Sequence, residues 1–174
     1  MDKTALLVID MLNDFVLEGA PLEVPAARKM VPLLMDEIEK ARKQHMPVIY
    51  VCDAHDEHDQ EFVRMGWPAH ALSGTSGAAV IDALKPQPQD TIIQKKSYSA
   101  FFATPLHGLL QKRSIAHLLI TGCVTNICVL YTVVDAVQRG YRVTVPRNCV
   151  AGLNVQDHEC ALRQMHDILG AQII

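Results

Sequence analysis

Residues 115–137 read IAHLLITGCVTNICVLYTVVDAV. The opening IAHLLIT is a short, nearly continuous run of Ile, Leu and Ala, as expected of a strand covered on both faces. Thr121-Gly122 ends it. The apolar positions of 127–139 then recur at helical spacing until Gly140, which reads as a helix stop. A buried strand that turns directly into a helix is the repeating unit of a parallel sheet.

Other stretches repeat this plan. TALLVI (4–9), MPVIYVC (46–52), DTIIQK (90–95), RVTVP (142–146) and GAQII (170–174) read as further strands. Helices are expected over 25–44, 77–84, 104–112 and 155–169. The first of these opens on Pro25 and stacks Met30, Leu33, Leu34, Ile38 and Ala41 on one stripe. The order predicts a single α/β domain over 1–174. Its sheet would be doubly wound, mostly parallel and six-stranded, flanked by helices in three layers. Residues 53–76, DAHDEHDQEFVRMGWPAHALSGTS, break the rhythm with a long polar stretch rich in His and Asp. It follows the second strand, at the sheet edge where such folds bind ligands.

Bulk properties narrow the function. The 174 residues are 49% hydrophobic and 20% charged, with net charge −3 and a pI of about 6.2. No nucleic-acid or anionic-membrane partner is expected from that balance. No apolar run is long enough to span a bilayer, and the N-terminus has no signal-peptide plan, so a cytoplasmic location is expected. The five cysteines (52, 123, 128, 149 and 160) include no CxxC pair and read as reduced thiols.

Several residues could carry chemistry. Asp10 ends the first strand, at the carboxyl edge of the sheet; a turn cap is its plainer reading. Cys128 falls in the first turn of a helix, where free backbone N–H groups and the helix dipole favour a thiolate and can hold an oxyanion. Cys123, in the turn itself, competes with it, and either could be a small buried hydrophobe. Lys95 and Lys96 end the third strand, from which one ammonium could face the acid and the thiol. Asp53, His55 and His70 form a carboxylate–imidazole set suited to a divalent metal with open positions, and His58 could add a ligand. The plainer reading is a solvated loop.

Taken together, LLVIDMLNDF (6–15), D-A-H (53–55) leading to WPAH (67–70), GTSGA (74–78), KKSYSAF (95–101), GCVTNICV (122–129) and DAVQRGY (135–141) resemble the isochorismatase-like cysteine hydrolases, and within them the nicotinamidases. The resemblance covers nearly the whole chain. It implies a catalytic triad of Asp10, Lys95 and Cys128, with Lys96 the alternative register. It also implies a cis peptide between Cys123 and Val124, aiming the Val124 N–H with that of Cys128 at an oxyanion. A divalent metal, commonly zinc, is implied at Asp53, His55 and His70, and an aromatic substrate slot at Phe15, Trp67 and Tyr98. The chain departs from the pattern at Ala69 and Ala71 beside His70, at Asn126, and at Arg147-Asn148-Cys149. The implied activity is deamination of nicotinamide or a similar small aromatic carboxamide through a cysteine thioester, in a homo-oligomeric enzyme, dimer or tetramer. The alternatives are hydrolysis of another small substrate, as by an isochorismatase, and a catalytically idle oligomeric binding module.

Overall fold

The computed structural model describes residues 3–174. Strands β1 (Lys3–Ile9), β2 (Val48–Asp53), β3 (Thr91–Lys95), β4 (Ile115–Cys123), β5 (Arg142–Val145) and β7 (Gln172–Ile173) lie side by side in the order β3-β2-β1-β4-β5-β7. Every pairing is parallel. The two-residue β6 (Val150–Ala151) pairs with the end of β4, an addition to the six expected strands.

Alternation along each strand creates two cores. In β1, Ala5, Leu7 and Ile9 face α4 (Leu106–Lys112), α5 (Leu130–Gln138) and α6 (Val155–Asp167). Leu6 and Val8 face the opposite way, toward the single turn α1 (Asn13–Val16) and toward α2 (Pro25–Lys43), which buries Ala27, Met30, Leu34, Ile38 and Ala41 on the predicted stripe. Leu33, counted in that stripe from the sequence, is 45% exposed at its edge. Both faces are therefore covered, which is why the strands are apolar throughout.

The strand order reverses direction between β1 and β4. In open α/β sheets the crevice beyond the carboxyl ends at such a switch point is where ligands bind. Ile9 pairs with Val51 of β2 on one side and Gly122 of β4 on the other, so the residues after these three ends converge. Gly122 has φ +113°, and a Cβ there would lie 1.9 Å from the Ile9 carbonyl oxygen. The close approach of β1 and β4 requires glycine at that position.

Two expectations are corrected. Residues 77–84 are not an α-helix: Ala79 O accepts from Asn13 N–H (2.9 Å) and Ile81 N–H donates to Met11 O (3.0 Å). These backbone groups pair with the segment after β1 instead of with one another, and only a 3-10 turn, Asp82–Leu84, remains. The polar stretch 53–76 is not all loop, for it holds the short helix α3 (Gln60–Met65), capped by Asp59 and ended by Gly66 in the left-handed region.

Candidate active site

Asp10 leaves β1 with φ +50°, a left-handed conformation that Asp tolerates better than most residues. Its N–H donates to Val51 O (2.9 Å), and its Oδ1 accepts the Asp53 N–H (2.8 Å). Asp53 and Lys95 are register partners at the ends of β2 and β3. Lys95 Nζ consequently reaches Asp53 Oδ1 (2.5 Å), Asp10 Oδ2 (2.8 Å) and Cys128 Sγ (3.4 Å). The oxygens of Asp10 and Asp53 and the sulfur of Cys128 lie within 4.8 Å of one another. Acid, amine and thiol thus meet although they are far apart in sequence. Lys96 is on the other side of the chain end, exposed and paired with Asp56 (2.6 Å). Cys123 donates its thiol to Asp10 O (3.2 Å) and also reaches the cavity wall.

Cys128 does not sit in the first turn of an α-helix. Thr125–Val129 form a π-helical turn, and α5 begins at Leu130. The Cys123–Val124 peptide is cis. The electrostatics of the thiol are the reverse of the sequence expectation. Burial pushes the Cys128 pKa well up; Lys95 opposes this, but the charges of Asp10 and Asp53 reinforce it. These effects favour a thiol partnered by Asp10 over a standing thiolate. Burial, aided by the charge of Asp53, also raises the Asp10 carboxyl to about 6 against the pull of Lys95. A carboxylate of that basicity is better matched to taking a proton near neutral pH than an ordinary one. Burial works against the Lys95 ammonium, yet the two carboxylates hold its pKa well above the usual lysine value.

Asp53, His55 and His70 are all buried, with ligand atoms within 4.8 Å of one another. His55 Nδ1 lies 3.0 Å from Asp59 Oδ2, and His70 Nδ1 lies 2.9 Å from Pro68 O. Both partners are acceptors, so both Nδ1 atoms carry the hydrogen, and each Nε2 is the atom a metal would take, at His55 by displacing the proton that faces Asp53 Oδ2 at 3.7 Å. That outer support is characteristic of metal-binding imidazoles, and two imidazoles with one carboxylate fit a divalent ion with open positions. Burial disfavours the charged His55 ring, but Asp53 and Asp59 outweigh it and raise its pKa to about 9. Burial lowers that of His70. His58 is exposed and outside this cluster.

Asp10, Cys128, Asp53 and His70 open on one cavity, walled by Phe15, Trp67, Tyr98, Val124 and Ile127, with Lys95 and His55 behind its lining. It is narrow, about 20 Å³, or room for roughly one water. Phe15, Phe62 and Trp67 ring His70 at centroid distances of 5.4, 5.0 and 6.1 Å. Glu61 was missed in the sequence. Its carboxyl is buried in the cavity wall with its pKa raised, chiefly by burial. The signal lay in D-x-E at 59–61, where Asp59 Oδ1 caps the Glu61 N–H (2.9 Å) and turns that side chain inward.

A parallel doubly wound sheet with a polar crevice at its switch point defines a ligand-binding α/β protein, and comparison with known proteins sharpens that class. Residues 4–174 match the isochorismatase domain. The chain belongs to the isochorismatase family, among hydrolases acting on amides. It is 36% identical to a probable inactive nicotinamidase from Arabidopsis thaliana, over 95% of this chain and 89% of that one. Its fold matches nicotinamidase/pyrazinamidase PncA from Bacillus subtilis with a TM-score of 0.92 at 32% identity, covering 98% of both chains. Pyrazinamidase of Pyrococcus horikoshii, whose structure is a complex with zinc, matches with a TM-score of 0.92 at 30% identity, over 99% of this chain and 98% of that one.

Proposed function

We propose that the protein is a cysteine amidohydrolase that converts nicotinamide, or a similar small aromatic carboxamide such as pyrazinamide, to the acid and ammonia. One observation carries this reading: the Lys95 ammonium joins Asp10, Cys128 and Asp53, so that an acid–amine–thiol group adjoins a metal-competent set across one narrow cavity.

Asp10 accepts the Cys128 proton as sulfur attacks the amide carbon, and Lys95 holds the carboxyl pair in place. The Val124 and Cys128 N–H groups receive the charge that develops on the carbonyl oxygen. Asp10 returns the proton to the leaving nitrogen; the C–N bond breaks, ammonia departs and a thioester remains. Water attacks that thioester with Asp10 again as base. The C–S bond breaks, the acid is released and Cys128 recovers its proton. A divalent metal, proposed as zinc, would be held by Asp53, His55 and His70 and would supply a Lewis acid for a ring nitrogen or a water. Phe15, Trp67 and Tyr98 would flank a flat ring. Neither arginine nor lysine lines the cavity, which favours a neutral amide over one carrying a carboxylate.

The test is ammonia release from nicotinamide, pyrazinamide, benzamide and maleamate by the zinc-loaded protein. Nicotinamide and pyrazinamide should be preferred, and benzamide, which lacks the ring nitrogen, should lag. Cys128→Ala should lose at least about 10³-fold in turnover with an unchanged circular dichroism spectrum. Activity surviving in that variant would refute the covalent route, and a preference for maleamate would refute the substrate. A protein inert toward every amide would be the idle binding module.

A further inference from the structure

A cavity much larger than the reaction cavity, about 480 Å³, lies between the first half of α2, residues 147–155 and the start of α6. The two cavities share no lining residue. We propose that the larger one is a second ligand site, for a small carboxylate with an apolar body.

Its size falls within the range of small-molecule sites, roughly 300–1,000 Å³. Its walls are mainly apolar, and Leu33, Leu153 and Val155 stand 45%, 43% and 78% exposed around it. An apolar ligand body would cover that surface. The polar part of the lining has one sign of charge. Lys29 and Arg147 contribute to it, His158 adds a polar ring, and no Asp or Glu is present. Glu159 already engages the Arg147 guanidinium at 2.6 Å, whereas Lys29 makes no ion pair among the described residues. The N-terminus of α6, a 13-residue helix, opens at the same place, and its polarity also favours an anion. Asp157 in that first turn is occupied, its carboxylate accepting from Asn154 Nδ2 at 2.7 Å. An anionic head near Lys29 with an apolar body over Leu33 and Leu153 satisfies both halves of the lining.

This site connects to the thiol. His158 Nδ1 lies 2.9 Å from Oγ1 of Thr125, a fully buried residue that begins the turn carrying Cys128. Gly152 packs so closely on His158 that a Cβ would come within 3.0 Å of the His158 Cβ. A ligand that presses on residues 152–155 therefore presses on the support of the Cys128 turn. Amide hydrolysis releases an acid of the proposed ligand class, so the site could sense product. That last step rests on the amidohydrolase reading; binding itself does not.

Benzoate is the probe and benzyl alcohol its neutral counterpart, both titrated calorimetrically into the full-length zinc-loaded protein. Benzoate should bind the native protein, and benzyl alcohol about tenfold more weakly, as expected for loss of one charge-assisted contact. Lys29→Glu, alone and with Leu153→Asp, should abolish that binding while leaving basal kcat/KM for the amide unchanged, since both side chains lie on the surface. At saturating amide, benzoate should alter the rate of the native enzyme but not of the double variant. Benzoate acting only as a competitive inhibitor, equally in native and variant proteins, would overturn the proposal, because the reaction cavity would be its sole site. It would also be overturned by native protein that binds no benzoate and loses a subunit contact in the double variant, because a second copy would then cover this face. Calorimetry needs no turnover, so a wrong substrate assignment would leave this result intact.

Discussion

Asp59 serves two elements with one side chain: Oδ1 caps α3 at the Glu61 N–H, and Oδ2 fixes the His55 ring. Asp59→Ala is expected to weaken metal binding by roughly 10–100-fold, as for other removed outer supports. Competition with a zinc-chelating dye would measure it. Asp59→Asn keeps a capping oxygen and should fall between the two. The residue scale is also where the sequence was easiest to misread. The types and order of Asp10, Lys95 and Cys128 were legible; strand placement left Lys95 and Lys96 open, and only the family pattern preferred Lys95. The protonation of Cys128 was not legible. Position in a turn suggested a stabilised anion, but burial and two carboxylates brought in from the ends of β1 and β2 oppose it. Glu61 was hidden for a similar reason, since an acid in a polar stretch reads as solvated until a cap turns it inward.

Elements meet most tightly where β1 passes β4. Gly122→Ala would force a methyl group into the Ile9 carbonyl and place alanine at φ +113°. A loss of more than about 3 kcal/mol is expected, read as a lower urea midpoint or as insoluble protein. A second prediction concerns α6 and the π-helical turn. Burial lowers the His158 pKa; Glu159 opposes this and Arg147 assists it. The folded ring is harder to protonate than the unfolded one, so the unfolded chain binds more protons as pH falls below the ordinary histidine value near 6.5. Stability contributed by the neutral ring is present above that pH and is lost as pH falls toward the folded pKa. The change in urea midpoint between about pH 7.5 and 5.5 should therefore be smaller in His158→Asn than in the native protein. Element identity was largely readable, because buried parallel strands and amphipathic helices carry different periods. Residues 77–84 escaped because their backbone partners, Met11 and Asn13, lie more than sixty positions away.

Across the whole molecule, the metal-competent set ties the end of β2 to the far end of the 53–76 segment through Asp53, His55 and His70. An ion bound only by the folded chain stabilises it by mass action, about 2.7 kcal/mol at a hundredfold excess over Kd. For a domain of this size that is roughly 5–10 °C in Tm. Thermal scans with zinc and with a chelator should differ by about that much, and coincident curves would argue against a metal held at these residues. The two-layered core and the position of the crevice followed from sequence periodicity plus the geometry of parallel sheets, whereas the strand order came only from the structure. So did the width of the cavity, because it depends on how Phe15, Trp67, Tyr98 and Ile127 pack together. That narrowness has a wider meaning. A nucleophilic sulfur able to open amides would be hazardous among polypeptides, whose every link is an amide. Here Cys128 is 6% exposed, set at the floor of a small cavity among aromatic side chains, a placement that holds the sulfur back from the surface where other polypeptides collide.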